Sequence, residues 1–176
     1  MSENLNNEPD DILNQINMLK NKYYSSNTKN ILFKNNQKFD CANTIVQNVD
    51  LNTLFSTIIR TDTNKMLFNY AVFKTVMNPN IYWAFISFIF ETNEKILKDY
   101  PTYEVYLDFK GLTPTGVERY KDFIQVLSKS GQQNNKNFLQ KLNHIFIVNP
   151  PLMIANIGKI LLPMLEPVIR DKISLF

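Results

Sequence analysis

The spacing of apolar positions changes along the chain, and the changes mark out its elements. Over residues 10–23 the apolar side chains Ile12, Leu13, Ile16, Met18 and Leu19 recur at helical spacing. Glu8, Asp10 and Asp11 stand where a helix dipole favours negative charge, so a short amphipathic helix is predicted. A polar linker of Ser, Asn and Thr follows over 24–30. Residues 30–34 read as an edge strand, 35–38 as a turn and 44–47 as a second short strand. Asp50 is placed to cap a helix over 51–60, whose apolar face is Leu51, Leu54, Phe55, Ile58 and Ile59. After a turn at Asp62-Thr63-Asn64, residues 67–77 alternate loosely and are rich in Phe, Tyr and Val, which predicts a strand. Asn78-Pro79 opens a long helix that ends at Asp99, before Tyr100-Pro101. Ile81, Phe85, Phe88, Ile89, Ile96 and Leu97 supply its buried stripe.

From residue 103 the pattern becomes strand, helix, strand, helix, strand. Tyr103-Glu104-Val105-Tyr106-Leu107-Asp108-Phe109 is aromatic and branched and stops at Gly111. Residues 113–129 have helical spacing, and the low-complexity run 130–137 reads as a surface loop. His144-Ile145-Phe146-Ile147-Val148 is a short apolar strand ended by Asn149-Pro150-Pro151. Residues 152–165 form a second apolar helix, and Lys172-Ile173-Ser174-Leu175-Phe176 a closing strand. Strands that alternate with helices of this length pair in parallel through right-handed crossovers. The expected fold class is therefore α/β, a mainly parallel sheet with helices on its faces. The 176 residues divide into a helix and polar linker over 1–30 and one domain over 31–176.

Composition narrows the function classes. A net charge of +3 is too balanced for a nucleic-acid binder, which shows a clustered basic stripe. Cys41 stands alone, so no intramolecular disulfide and no thiolate metal cluster is expected. That points to a reducing, intracellular location, the cytoplasm. Residues 1–8 are polar and acidic, unlike a signal peptide. The most apolar run, 81–90, is about half the length a bilayer requires. Gly158, Pro163 and Pro167 interrupt 154–169, where Lys159 and Glu166 add charge, so no transmembrane segment is predicted. About one residue in seven is Asn, a bias of AT-rich genomes such as those of protozoa, some bacteria and large DNA viruses.

The closing portion resembles a known family. Val105-Tyr106-Leu107-Asp108-Phe109-Lys110-Gly111 is similar to the strand-Asp-x-x-Gly segment of the CRAL-TRIO lipid-binding domain. Leu139, Leu142 and the run from His144 to Pro151 resemble its L-x-x-I-x-I-I-N-x-P segment. Ile160-Leu161-Leu162-Pro163-Met164-Leu165 and Lys172-Ile173 resemble the helix and strand that come next. The resemblance implies a CRAL-TRIO-like fold and a lipid as ligand. The family's lipid sites usually have a basic helical region upstream, and none of the usual form is read here. In the family, more helix and strand follow the last matched strand, including a mobile gate over the lipid. The last strand expected here ends at Phe176, which implies an open or self-filled pocket.

Candidate chemistry is sparse. One His, His144, is a poor basis for a zinc site that needs three or four ligands. Cys41 with His144 is a conceivable nucleophile and base, without a Gly-rich turn to form an oxyanion hole. Asp99, Glu104, Asp108 and Glu118 are scattered. Asp108, at the C-terminal end of a strand, is the best of them, although a turn role explains it too. The run 111–116 has Pro114 where a phosphate cradle needs a backbone N–H. No catalytic residue, metal or cofactor is predicted. The aromatic and apolar side chains Tyr82, Trp83, Phe85, Phe88, Leu152 and Ile160 are the candidate ligand- or partner-facing patch. The leading expectation is a non-enzymatic interaction or structural module with protein partners, part of a larger assembly such as a virion. The alternative is binding or transfer of a lipid or other hydrophobic ligand, in an elongated apolar cavity between the sheet and the helices over 79–99 and 152–165.

Overall fold

The structure, a computed structural model, describes residues 9–134 and 136–176. In chain order they form α1 (Pro9–Ser26), α2 (Lys34–Val46), α3 (Leu51–Ile58), β1 (Ile59–Asp62), β2 (Lys65–Asn69), α4 (Tyr70–Val76), a 3-10 turn (Pro79–Ile81), α5 (Tyr82–Asp99), β3 (Tyr103–Asp108), α6 (Pro114–Arg119), α7 (Lys121–Asn134), α8 (Lys136–Lys141), β4 (Leu142–Val148), α9 (Ile154–Leu161), a second 3-10 turn (Leu162–Met164), α10 (Pro167–Arg170) and β5 (Ile173–Leu175). The sheet order is β1-β2-β3-β4-β5. Only β1 and β2 pair antiparallel, through a tight turn with Thr63 at positive φ. The other pairs are parallel, each joined by helices that carry the chain back across the sheet. The fold is thus α/β with a mostly parallel sheet, as the alternation predicts.

The period-2 rule divides the strand residues between two faces. Met66, Tyr103, Val105, Leu107, Ile145 and Ile147 turn inward and belong to or pack on the core. Lys65, Leu67, Tyr106, His144 and Phe146 lie on the opposite face, where the Tyr106 and Phe146 rings stack at 4.8 Å. The centre of the core is Phe73 of α4. Its ring lies 4.9 to 6.0 Å from those of Tyr120, Phe123, Phe68 and Phe85. In α1, Ile12 and Ile16 are buried in the same cluster, against α2 and α3. Residues 1–8, including Glu8 at the expected helix start, lie outside the described residues.

Several expected elements are replaced, each for a local reason. The strand read over 67–77 ends at Asn69, whose side-chain oxygen accepts from the Val72 N–H at 3.2 Å and caps α4. The aromatic and branched residues beyond it, Tyr70, Val72, Phe73 and Val76, are the buried face of that helix. The edge strand read over 30–34 is a turn. Asn30 Oδ1 accepts from the N–H groups of Leu32 and Phe33, at 3.0 and 2.8 Å, and the chain then enters α2. The strand read over 44–47 is instead the end of α2, with Ile45 fully buried. The helix from Leu51 yields to β1 at Ile59. The surface loop read over 130–137 is helical among the described residues, which continue α7 to Asn134 and begin α8 at Lys136.

Asp50 caps α3 as expected. Its carboxylate accepts from Thr53 N–H at 2.8 Å and from Thr53 Oγ1 at 2.7 Å. The backbone bond from Thr53, with the hydroxyl bond after it, holds the carboxyl below its ordinary 3.8. A depressed folded value means that the stabilisation is complete above the ordinary value and is lost as pH falls through the lowered one. Asp50→Ala should cost ~1 kcal/mol at neutral pH. The gap to wild type should close below about pH 4, read from urea melts across pH.

The corner after β3 is built from three residues. Asp108 Oδ1 accepts from Lys110 N–H at 2.9 Å and from Asn149 Nδ2 at 3.1 Å, tying the end of β3 to the end of β4. Gly111 stands at φ +74°, and a Cβ there would lie 3.0 Å from Lys74 Nζ. Gly111→Ala is therefore expected to lose ~1–2 kcal/mol. Thermal denaturation should show a drop of ~2–8 °C for a chain of this size.

Candidate ligand cavity

The inner face of the sheet is apolar because alternate strand positions are Val, Leu, Ile and Met. The helices above it do not fill the space they enclose. A cavity of about 830 Å³ lies between the sheet and α4, α6, α7 and α9. Leu107, Ile147 and Ile173 form its floor, with Phe123 and Leu127 of α7 and Ile157 of α9 above. A second cavity, of about 270 Å³, runs beneath α5, α7 and α8, with Phe85, Ile89, Tyr103, Val105 and Phe138 among its walls. Phe68, Leu107, Phe123, Leu127 and Ile173 border both, so the two lie end to end on one floor.

Local sequence explains the gap. The cover over the floor is broken: α9 stops after eight residues, and Pro163 ends its continuation in a 3-10 turn. Gly158 and Ala155 leave room on the same helix, with only Leu162 Cδ1 near a would-be Gly158 Cβ, at 3.9 Å. Gly116 of α6 plays the opposite part. A Cβ there would lie 2.3 Å from Tyr70 Oη, so only glycine lets α6 approach that ring.

The polar groups at the cavity walls are neutral donors. Tyr120 donates its hydroxyl to the Lys74 carbonyl at 3.0 Å, and Tyr103 to that of Phe138 at 3.2 Å. Burial pushes the Tyr70 hydroxyl up to about 12 and raises those of Tyr103 and Tyr120 as well. Such hydroxyls stay protonated at neutral pH and can orient a polar group but cannot serve as bases. The charged side chains at the larger cavity, Lys159 and Arg170, are exposed at its rim. Arg170 Nε donates to the Leu165 carbonyl at 2.9 Å. This arrangement can desolvate an apolar molecule; among the described residues at its walls no nucleophile stands beside a base.

The residues singled out by the sequence are dispersed. Phe85 lines the smaller cavity. Tyr82 is buried, its ring 5.3 Å from Phe123. Phe88 is half-buried, 5.5 Å from Phe55. Ile160 is half-buried on α9, Trp83 is 65 % exposed, and Leu152 is fully exposed ahead of α9. Tyr82 and Phe85 are thus withdrawn from any surface patch, because α5 turns that side inward and leaves Trp83 outside. The expected flanking helices are found, α5 over the smaller cavity and α9 over the larger. What the sequence reading missed is the wall supplied by α7. Its signal was present in the helical spacing of Phe123, Ile124 and Leu127.

His144 and Cys41 are not brought together. His144 lies on the sheet face away from the cavities, its Nε2 2.7 Å from Ser174 Oγ. Cys41 is buried in α2 within the helical layer, where burial pushes its thiol up. Among the described residues, no three His, Cys, Asp or Glu side chains are grouped to hold a metal. No helix among them is long and apolar enough to cross a membrane.

Comparison with known proteins agrees with this geometry. A family model, the CRAL/TRIO domain, matches residues 74–176. That span runs from the end of α4 through α5 and the strands β3, β4 and β5, and so includes the floor and most of the cover of both cavities. No curated protein matches the chain. With more than half of its length matched, including the segments around Asp108, Gly111 and Asn149 that carried the sequence resemblance, the chain belongs to the CRAL/TRIO domain family.

Proposed function

We propose that this chain binds a lipid or other hydrophobic molecule in the apolar space between its sheet and helices. The observation that carries the reading is the larger cavity, about 830 Å³ with an almost wholly apolar lining. Ligand pockets commonly span ~300–1,000 Å³. An apolar ligand that buries ~300 Å² there gains ~7 kcal/mol before the cost of immobilisation. Family membership supports the same reading. Neither the fold nor the family match carries the expectation of a structural role in a virion, and the geometry favours the ligand-binding alternative over a pocket filled by its own side chains.

The test is extraction of natively purified chain with organic solvent, followed by mass spectrometry. A lipid close to one per chain is the expected result. Protein that carries none, and that also fails to take up a fluorescent fatty acid, would remove the proposal.

A further inference from the structure

The parallel crossovers all step the same way across the sheet, from β2 through β3 and β4 to β5. Right-handed connections that step in one direction stack their helices on one face. The other face has no covering layer among the described residues. None of its side chains belongs to the core cluster or packs on it, and each is half-buried or exposed.

The strand registers fix two rows of side chains across this bare face. One is Asp62 of β1, Lys65 of β2, Glu104 of β3 and His144 of β4, each the direct neighbour of the next. Beside it run Arg60, Leu67, Tyr106 and Phe146, again neighbour to neighbour. Leu67 is 41 % exposed, and the stacked rings of Tyr106 and Phe146 continue its apolar stripe. The charged row is held in shape. Glu104 accepts from the Tyr106 hydroxyl at 3.0 Å and from Asn143 Nδ2 at 3.3 Å. Lys65 Nζ lies 5.5 Å from the centre of the Tyr106 ring.

A sheet face with an apolar stripe gains by meeting a second layer. The charges say which layer. Asp62, Lys65 and Glu104 alternate in sign, so a partner of one charge meets repulsion at every second position. The same row turned end for end does not. With a two-fold axis along the strands between β2 and β3, Lys65 of each copy faces Glu104 of the other, and Asp62 faces His144. The same rotation sets Leu67 over Tyr106 and Arg60 over Phe146, a cation on an aromatic ring.

We propose that two copies of this chain associate through these bare sheet faces, as an isologous pair of aligned sheets. Strands ~4.8 Å apart that rise ~3.3 Å per residue make the four-stranded patch ~20 Å on each side, ~400 Å² of plane from each copy. That is the small end of specific interfaces, so the dimer is an exchanging one of micromolar affinity. The apolar cavities lie on the other side of the sheet, so the association does not depend on what fills them.

The test is sedimentation equilibrium of the full chain. Half of it should be dimeric within ~10–100 μM. Lys65→Glu alone, and Glu104→Lys alone, should each weaken association about tenfold or more, because each sets like charges opposite one another twice. The two variants mixed should dimerise like wild type, since each supplies the charge that the other lacks. A chain carrying both changes keeps every pair with its signs exchanged and should also match wild type. Leu67→Ser should weaken association about tenfold with unchanged thermal melting. Trp83→Ser, exposed on α5, serves as the control. Three outcomes overturn the proposal: a chain that stays monomeric to ~1 mM, a mixture that associates no better than its separate components, or loss of the dimer with Trp83→Ser while Leu67→Ser leaves it intact.

Discussion

Leu127→Trp should remove hydrophobic-ligand binding while leaving the chain folded. Leu127 borders both apolar cavities and is half-buried on the inward side of α7. The larger ring would occupy the junction where the two spaces meet. A ligand displaced from ~60 Å² of apolar wall loses ~1.5 kcal/mol, about tenfold in Kd. One whose chain must pass through the junction loses more. Overpacking a full core costs ~1–3 kcal/mol, but here the indole enters space already empty, so the melting temperature should fall little. Titration with a fluorescent fatty acid, read beside thermal melting, separates the two effects. Unchanged affinity in a folded variant would place the ligand elsewhere.

The parts of the fold that sequence made legible are those where one local rule acts alone. The strands β3 and β4 are apolar runs ended by Asp108 and by Asn149-Pro150, whose side chains prove to be bonded to each other across the strand ends. Asp50 and Pro79 mark helix starts by well-understood chemistry. Where two rules compete, the reading failed. Residues Tyr70 to Val76 have strand-like composition, yet Asn69 caps them into a short helix whose Phe73 sits among five other aromatic rings. Asn30 likewise turns Ile31-Leu32-Phe33 out of a strand. Asn is thus the residue that sets several boundaries here.

The site was legible in outline only. Helical periodicity says which side chains turn inward and nothing about whether the inward space is filled. The larger cavity arises where the short helices α6 and α9 leave part of a broad floor uncovered, a property of tertiary geometry. Likewise Lys20, Lys38, Lys74 and Arg119, which line a separate polar cavity of about 330 Å³, stand far apart in sequence, and no stripe announces them.

Phe85→Ala is expected to give the largest stability loss in the chain. Phe85 is fully buried, and its ring lies 5.0 Å from Phe55, 5.9 Å from Phe123 and 6.0 Å from Phe73. Removal forfeits the transfer free energy and leaves space that the surrounding rings cannot collapse into, together ~3–5 kcal/mol. Stability for a domain is ~5–15 kcal/mol, so a large share disappears, and the melting temperature should fall by ~6–20 °C. Phe88→Ala, half-buried and outside both cavities, should cost less. Phe85 also walls the smaller cavity, so its loss should enlarge the space open to a ligand. A hydrophobic probe at ~100 times its Kd stabilises the folded state by ~2.7 kcal/mol. Because the Phe85→Ala chain offers that probe more apolar room and so binds it more tightly, it should recover more of its melting temperature than Phe88→Ala does when both are held at the same probe concentration. Equal recovery in the two variants would show that the space beneath α5 does not communicate with the bound molecule.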